Sequence, residues 1–260
     1  MEQKITSGKN PLIRWMRSLS SPKARRESGA ILVEGGVMIR EALSCSLEPV
    51  CVLYEDPCLL EGLGALPEEA RCALVPSSLL QAVCETVTPQ GIAAAFRAPE
   101  PADPTDMRGP VVVLDCVQDP GNCGTIARTA DAAGFGGIVF GTGSADPMSA
   151  KVIRSSMGSL FRLPYAQGDL AKIYPMLRQM GYCIAASCLD GESIYGASPL
   201  REPCALAIGN EASGISECTR READVFLRIP MRGGAESLNA SVAAGILMYE
   251  MTRPAGKAGS

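Results

Sequence analysis

Beyond residue 110 the chain alternates between short apolar runs and stretches whose apolar residues recur at helical spacing. Residues 111–114, 137–140, 182–186, 205–208 and 225–229 read as strands, and the unbroken Val-Val-Val-Leu of the first suits a central parallel strand. Residues 125–133, 150–158 and 170–180 read as helices. The alternation predicts an α/β domain with a parallel sheet covered on both faces. Its last segment is a strand, a loop and a helix. Pro230 ends the strand, Ser237 or Asn239 can cap the helix, and Val242, Ile246, Leu247 and Tyr249 recur along it until Pro254. Gly233 and Gly234 allow the loop backbone positive φ or a close approach to a ligand.

The first hundred residues carry a second, smaller pattern. Strands are predicted at 30–33, 50–54 and 91–96 and helices at 37–43 and 78–84, a small α/β unit. Before it, Asn10 and Pro11 open a helix with the apolar stripe Leu12, Trp15, Met16 and Leu19, while Arg14 and Arg17 lie off the stripe. Residues 20–26, with Lys23, Arg25 and Arg26, read as a polar cationic turn region that could meet phosphates or simply be solvated. Residues 98–106 pack three prolines and three acids into nine positions, the composition of a stiff polar linker. The domains are therefore placed at 1–97, a linker at 98–109, and 110–260.

Composition narrows the chemistry. No run of about 18 apolar residues could span a membrane, and the polar start lacks the core of a signal peptide, so a cytoplasmic protein is expected. The eleven cysteines lie scattered in apolar segments and read as reduced core residues, with no Cys-x-x-Cys pair to suggest zinc; no metal is expected. There is no histidine, which removes the usual triads and the usual general base near neutral pH. The net charge of −4 speaks against nucleic acid, but residues 1–40 hold eight Lys and Arg against three acids, a local +5 that leaves −9 for the rest.

Three loops carry the functional signal. Each follows an apolar run: Asn-x-Gly-x-x-x-Arg at 122–128, Gly-Asn-Glu-x-x-Gly at 209–214, and Ile-Pro-Met-x-Gly leading to Ser-Leu-Asn at 229–239. The Gly-x-Gly-x-x-Gly fingerprint of a dinucleotide site is absent from the first. In order and spacing the three loops resemble the motifs of the SpoU (TrmH-type) RNA ribose 2′-O-methyltransferases of the SPOUT superfamily. Residues 151–164, Lys-Val-Ile-Arg-Ser-Ser-Met-Gly-Ser-Leu-Phe-Arg-Leu-Pro, resemble that family's segment between the first two motifs. The N-terminal stretch from Ile5-Thr6-Ser7 through Asn10-Pro11 to Leu32-Val33-Glu34-Gly35 resembles its substrate-binding domain of ribosomal-protein-like α/β/α fold.

The resemblance implies a deep trefoil knot in the C-terminal domain, S-adenosylmethionine as cofactor, a homodimer, and methyl transfer to a ribose 2′-hydroxyl in RNA, with ribosomal RNA favoured over tRNA. It places Gly209, Ile229 and Leu238 at the cofactor. Arg128 becomes the catalytic residue, and Asn122, Glu211, Ser237 and Asn239 the candidates for orienting substrate and tying the loops together. The alternatives are structural: Asn122 making the turn before its helix, and Ser237 capping the last helix. Arg14, Arg17, Lys23, Arg25, Arg26, Lys151 and Arg154 are the candidate substrate contacts. A guanidinium with a pKa above about 12 is a poor base, so Arg128 is read as a clamp on phosphate or on the developing alkoxide. The competing readings are an RNA-binding protein of the same fold without catalysis and an NAD-dependent oxidoreductase. The intact polar motif positions argue against the first, and the missing glycine fingerprint against the second.

Overall fold

The computed structural model describes residues 3–67, 69–195 and 203–253. Its contacts divide into two compact units, residues 1–100 with 148–162 and residues 101–147 with 163–260. The last helix ends at Met251; Pro254, read as its stop, lies outside the described residues. No helix among the described residues is long and apolar enough to cross a membrane.

The first unit contains β1 (Gln3–Lys4), α1 (Pro11–Ser18), α2 (Pro22–Ser28), β2 (Ala30–Glu34), α3 (Gly36–Ser44), β3 (Pro49–Tyr54), α4 (Pro57–Glu61), β4 (Arg71–Leu74), α5 (Ser77–Val83) and β5 (Ile92–Arg97). Its sheet runs β1-β4-β3-β5-β2, with β5 antiparallel to both neighbours and the other pairs parallel. The amide of Leu12 donates to the Asn10 side chain at 2.9 Å, which caps α1, and Ile13 and Met16 face the core. The cationic stretch read as a turn is instead the helix α2. Pro22 suits its first position, and Gly29 closes it at φ 59°, where a side chain would be strained.

The second unit contains β6 (Val111–Asp115), α6 (Pro120–Ala132) and β7 (Gly137–Gly141). After α7 (Ala150–Ser155), which belongs to the first unit, come β8 (Tyr165–Gly168), α8 (Leu170–Gln179), β9 (Cys183–Ser193), β10 (Cys204–Gly209), α9 (Glu217–Glu222), β11 (Val225–Arg228) and α10 (Ala240–Met251). The six strands run β11-β9-β10-β6-β7-β8 and every pair is parallel. All strand ends that lead into the three motif loops, Asp115, Gly209 and Arg228, therefore emerge on one edge of the sheet. From β6 the chain moves outward through β7 and β8, then returns to build the other half, so the order reverses between β6 and β10. Open parallel sheets bind ligands at the C-terminal edge of such a reversal.

Two departures from the sequence reading have clear causes. The proline-rich stretch is not a free tether along its length: from Pro101 it belongs to the second unit, Ala102 N–H donates to the Tyr165 carbonyl at 2.7 Å, and Met107 is buried in that core. Residues 148–162, which follow β7 in sequence, pack in the first unit, where α7 lies against β2. There the largely buried Glu34 carboxylate accepts from Glu85 N at 2.6 Å, from Thr86 Oγ1 at 2.7 Å and from Arg154 Nη1 at 3.4 Å.

Candidate active site

The first motif is held by the start of α6. Asp119 is the N-cap, its carboxylate accepting from Asn122 N at 2.8 Å, and Pro120 takes the first helical position. Asn122 thus stands in the first turn of the helix, not in a turn before it. Its amide donates from Nδ2 to Glu211 Oε1 at 2.7 Å, and its Oδ1 accepts from Asn239 Nδ2 at 3.0 Å. One side chain from each motif loop enters this chain of hydrogen bonds. Asn239 also caps α10, accepting from Ser241 N at 3.0 Å and Val242 N at 3.3 Å, so the alternative cap, Ser237, is left to face the cavity.

Asn210 adds a second tie that the sequence reading did not assign. Its Nδ2 donates to the Cys116 carbonyl at 2.9 Å, while its Oδ1 accepts from Ala212 N at 2.9 Å and Ser213 N at 3.1 Å. Asp115, 4% exposed at the end of β6, accepts from Ser216 N at 2.6 Å. An asparagine after a strand and an aspartate ending an apolar run are the local signals that could have marked them.

A cavity of about 560 Å³ opens beside these loops, and Gly209, Glu211, Ile229, Ser237 and Leu238 all line it. The volume falls within the range of small-molecule and cofactor sites. Its remaining wall comes from β9 and was missed in the sequence. Phe226 and Leu227 pair with Ala186 and Glu192, so residues 187–191 are left over from the ladder. Ser187, Cys188, Leu189 and Asp190 from this excursion line the cavity, with Arg220 of α9 at 3.9 Å from Asp190. Burial and a hydrogen bond to Asp190 push the Cys188 thiol up.

The glycines divide in an unexpected way. A Cβ on Gly209 would lie 2.3 Å from the backbone carbon of Gly214 and 2.4 Å from Ile215 N, so its own neighbouring loop already demands glycine there. Gly233 and Gly234 take no positive φ, and a Cβ on either meets nothing within 4 Å. The loop does curve round the cavity through Ile229, Met231, Glu236 and Leu238, but these glycines are not what steric contact requires for it.

Arg128 is exposed on α6, six residues after Asn122 and about 9 Å further along the helix axis. Neither Arg128 nor Asn122 nor Asn239 lines the cavity itself. Among the candidate substrate contacts Arg14, Arg17, Lys23, Arg26 and Lys151 are exposed. Arg25 is a correction: it is 5% exposed, and its Nη1 donates to the Leu19 carbonyl at 2.7 Å and the Ser20 carbonyl at 2.9 Å. It ties α2 to the end of α1 and is buried, whereas the other arginines of this stretch are exposed. Arg154 is directed to Glu34.

Comparison with known proteins identifies the family of both regions. Residues 109–249 match the SpoU rRNA Methylase family and residues 10–94 the MRM3-like substrate binding domain. The chain is 35% identical over 249 residues to the 23S rRNA (guanosine(2553)-2'-O)-methyltransferase RlmP of Bacillus subtilis, covering 96% of this chain and 99% of that protein. Similar solved structures include an AdoMet-bound rRNA methyltransferase from Sinorhizobium meliloti, with TM-score 0.84, 30% identity and coverage of 96% and 97% of the two chains. The SpoU methyltransferase AviRb from Streptomyces viridochromogenes in complex with AdoMet has TM-score 0.84 and 28% identity, covering 94% of this chain and 98% of its own. With the three motif loops gathered at one sheet edge and both regions matched, the chain belongs to the SpoU rRNA methylase family.

Proposed function

We propose that the protein transfers the methyl group of S-adenosylmethionine to a ribose 2′-hydroxyl of RNA, with ribosomal RNA as the substrate. The hydrogen-bonded chain Glu211–Asn122–Asn239 beside the cavity lined by Gly209, Ile229 and Leu238 is the observation that carries this reading. The names of the relatives support it, since RlmP is a ribosomal RNA 2′-O-methyltransferase and two of the similar structures hold AdoMet.

The residues present fit that cofactor. Ile208, Ile229 and Leu238 offer apolar walls for an adenine, the backbone at 209–214 offers polar groups, and Asp190, Arg220 and Glu236 bring charge to the same cavity. When bound, S-adenosylmethionine supplies an electrophilic methyl group on a sulfonium. The chain itself supplies position. Arg128 presents a charged fork for the phosphate next to the target ribose or for the developing alkoxide, and Asn122 and Glu211 fix the loops between which the ribose enters. With no histidine in the chain and a guanidinium that is already protonated at neutral pH and so has no site to accept a proton, the hydroxyl proton leaves to phosphate or solvent.

The reading also includes a homodimer. Val242, Ile246 and Tyr249 form a stripe on α10 at i, i+4 and i+7, with Val242 and Tyr249 about half exposed on a largely apolar helix. The deep trefoil knot and the division into a substrate domain and a catalytic domain belong to the same proposal. Calorimetric titration with S-adenosylmethionine and with NAD, followed by transfer of labelled methyl to ribosomal RNA from a strain lacking the gene, tests it. Binding of the first ligand alone with label incorporated into RNA is the predicted result; NAD binding, or cofactor binding without transfer, would overturn it.

A further inference from the structure

A second cavity, of about 500 Å³, lies wholly within the first unit and is lined by no residue of the motif loops. One side is Trp15 with Pro11 and Leu12 of α1, facing Pro49 at the start of β3. Trp15 is the only tryptophan in the sequence. It packs on the core but is only partly buried, so part of the indole remains toward the groove. Arg71, at the start of β4, and Arg97, at the end of β5, line the same groove and are exposed. Glu48 and Glu69 line it as well; Arg97 lies 4.0 Å from Glu48, with both side chains more than half exposed. Such a solvated pair is weakly held and open to exchange with a ligand. Arg14 and Arg17 stand exposed on the helix that carries Trp15.

These features select a ligand with a flat apolar face and an anionic backbone. An indole edged by arginines stacks a nucleobase regardless of its identity, because every base has a π-face, while the cations take the phosphates. The two carboxylates fit the same picture. They repel a phosphate from the groove but accept hydrogen bonds from base N–H groups, so the base enters and the backbone stays at the arginine rim. A proline-rich peptide would also favour a Trp and Pro surface. Arg71 and Arg97 at the groove, with Arg14 and Arg17 exposed on the helix that carries Trp15, favour the polyanion.

We propose that this groove receives one unpaired nucleobase of the RNA substrate, stacked on Trp15 with Arg71 and Arg97 engaging the adjacent phosphates. It is a recognition subsite remote from the motif loops in sequence, and it rests on the reading that RNA is the substrate. Being the sole tryptophan, Trp15 reports directly by its fluorescence. The full-length protein is titrated with a single-stranded RNA oligonucleotide, with a duplex of the same length, and with a proline-rich peptide.

Saturable quenching by the single strand, little by the duplex and none by the peptide is expected. Trp15→Ala and Arg71→Glu should each weaken single-strand binding on the order of tenfold, measured with end-labelled RNA, with S-adenosylmethionine affinity unchanged. Trp15→Phe, which retains a stacking ring, should bind within a few-fold of wild type and serves if the alanine variant does not fold. Absent quenching, quenching by the peptide alone, or wild-type RNA affinity in Arg71→Glu would overturn the subsite. RNA-dependent quenching without methyl transfer would instead leave the groove standing and refute the catalytic reading. Methyl transfer without quenching would do the reverse.

Discussion

Asn122 Nδ2 and Glu211 Oε1 lie 2.7 Å apart although 89 residues separate them, and the other end of the same amide accepts from Asn239 at 3.0 Å. An asparagine suits this place because it offers one donor to a carboxylate and one acceptor to another amide. Asn122→Asp would lose the donor and set a second carboxylate against Glu211. We predict a fall in kcat of about 10- to 100-fold for Asn122→Asp in single-turnover methyl transfer, and a smaller fall for Asn122→Ala. Stability of the alanine variant should change by less than about 1 kcal/mol, because the site is only half-buried. Undiminished turnover in Asn122→Asp would show that the tie between the loops is not needed.

Glycine substitutions should separate steric need from mere composition. Gly209→Ala forces a Cβ into the backbone of Gly214 and Ile215, so it should lower stability by about 1–3 kcal/mol and weaken cofactor binding as the loop shifts. Gly233→Ala and Gly234→Ala meet open space at negative φ and should stay within about 0.5 kcal/mol of wild type. Thermal unfolding of the three variants decides this; equal effects at 209 and 233 would contradict it.

The arginines of the first unit should divide the same way. Arg25→Ala removes buried charged hydrogen bonds to two carbonyls and should cost about 1.5–3 kcal/mol in urea unfolding, with the salt dependence of RNA binding unchanged. Arg14→Ala or Arg26→Ala should leave stability alone. A residue of this pair that meets phosphate would reduce the slope of log K against log salt by about one on substitution. A reduced slope in Arg25→Ala would mean that the inward arginine reaches RNA after all.

Alkaline pH should weaken the fold. Burial pushes the thiols of Cys51, Cys123 and Cys204 up to about 12 from an ordinary 9.0. Below pH 9 these thiols are protonated in both the folded and the unfolded chain and the contribution is fully present. Between about 9 and 12 the unfolded chain binds fewer protons, so stability falls by at most about 1.4 kcal/mol per pH unit per thiol. Urea midpoints at pH 8 and pH 10.5 should decrease in that order; a flat or rising midpoint would contradict the burial of these groups.

The stripe on α10 makes a prediction about assembly. If Val242 and Tyr249 meet their counterparts in a second copy, Val242→Asp with Tyr249→Asp should convert a dimer to a monomer in sedimentation equilibrium. A wild-type protein that is monomeric at micromolar concentration would end the proposal.

What the sequence made legible follows from the physics of each segment. The core strands of the second unit are read within about a residue at most ends, because a parallel strand buried on both faces has no polar positions to blur its limits. The sequence pattern starts α6 at Thr125, whereas the helix begins at Pro120, because Gly121, Asn122 and Gly124 are weak helix formers and only the Asp119 cap and Pro120 signal the earlier start. The helix α2 has no apolar stripe, so its charges read as a turn, and nothing local distinguishes the inward Arg25 from its exposed neighbours. The identity of the motif side chains was visible in the sequence, but their bonding to one another was not, since contacts across 89 and 117 residues depend on strand order. The cavity wall from β9 was hidden for the same reason, because residues 187–191 leave a ladder whose partner strand lies more than thirty residues later.

Identification of the modified nucleoside tests the central claim most directly. Ribosomal RNA prepared without the enzyme is incubated with S-adenosylmethionine and either the wild-type protein or Arg128→Ala, digested, and resolved by liquid chromatography with mass spectrometry. The wild-type reaction should yield one additional 2′-O-methylated nucleoside that is lost or greatly reduced with Arg128→Ala. A methylated base in place of a methylated ribose, or an equal yield from the variant, would contradict it.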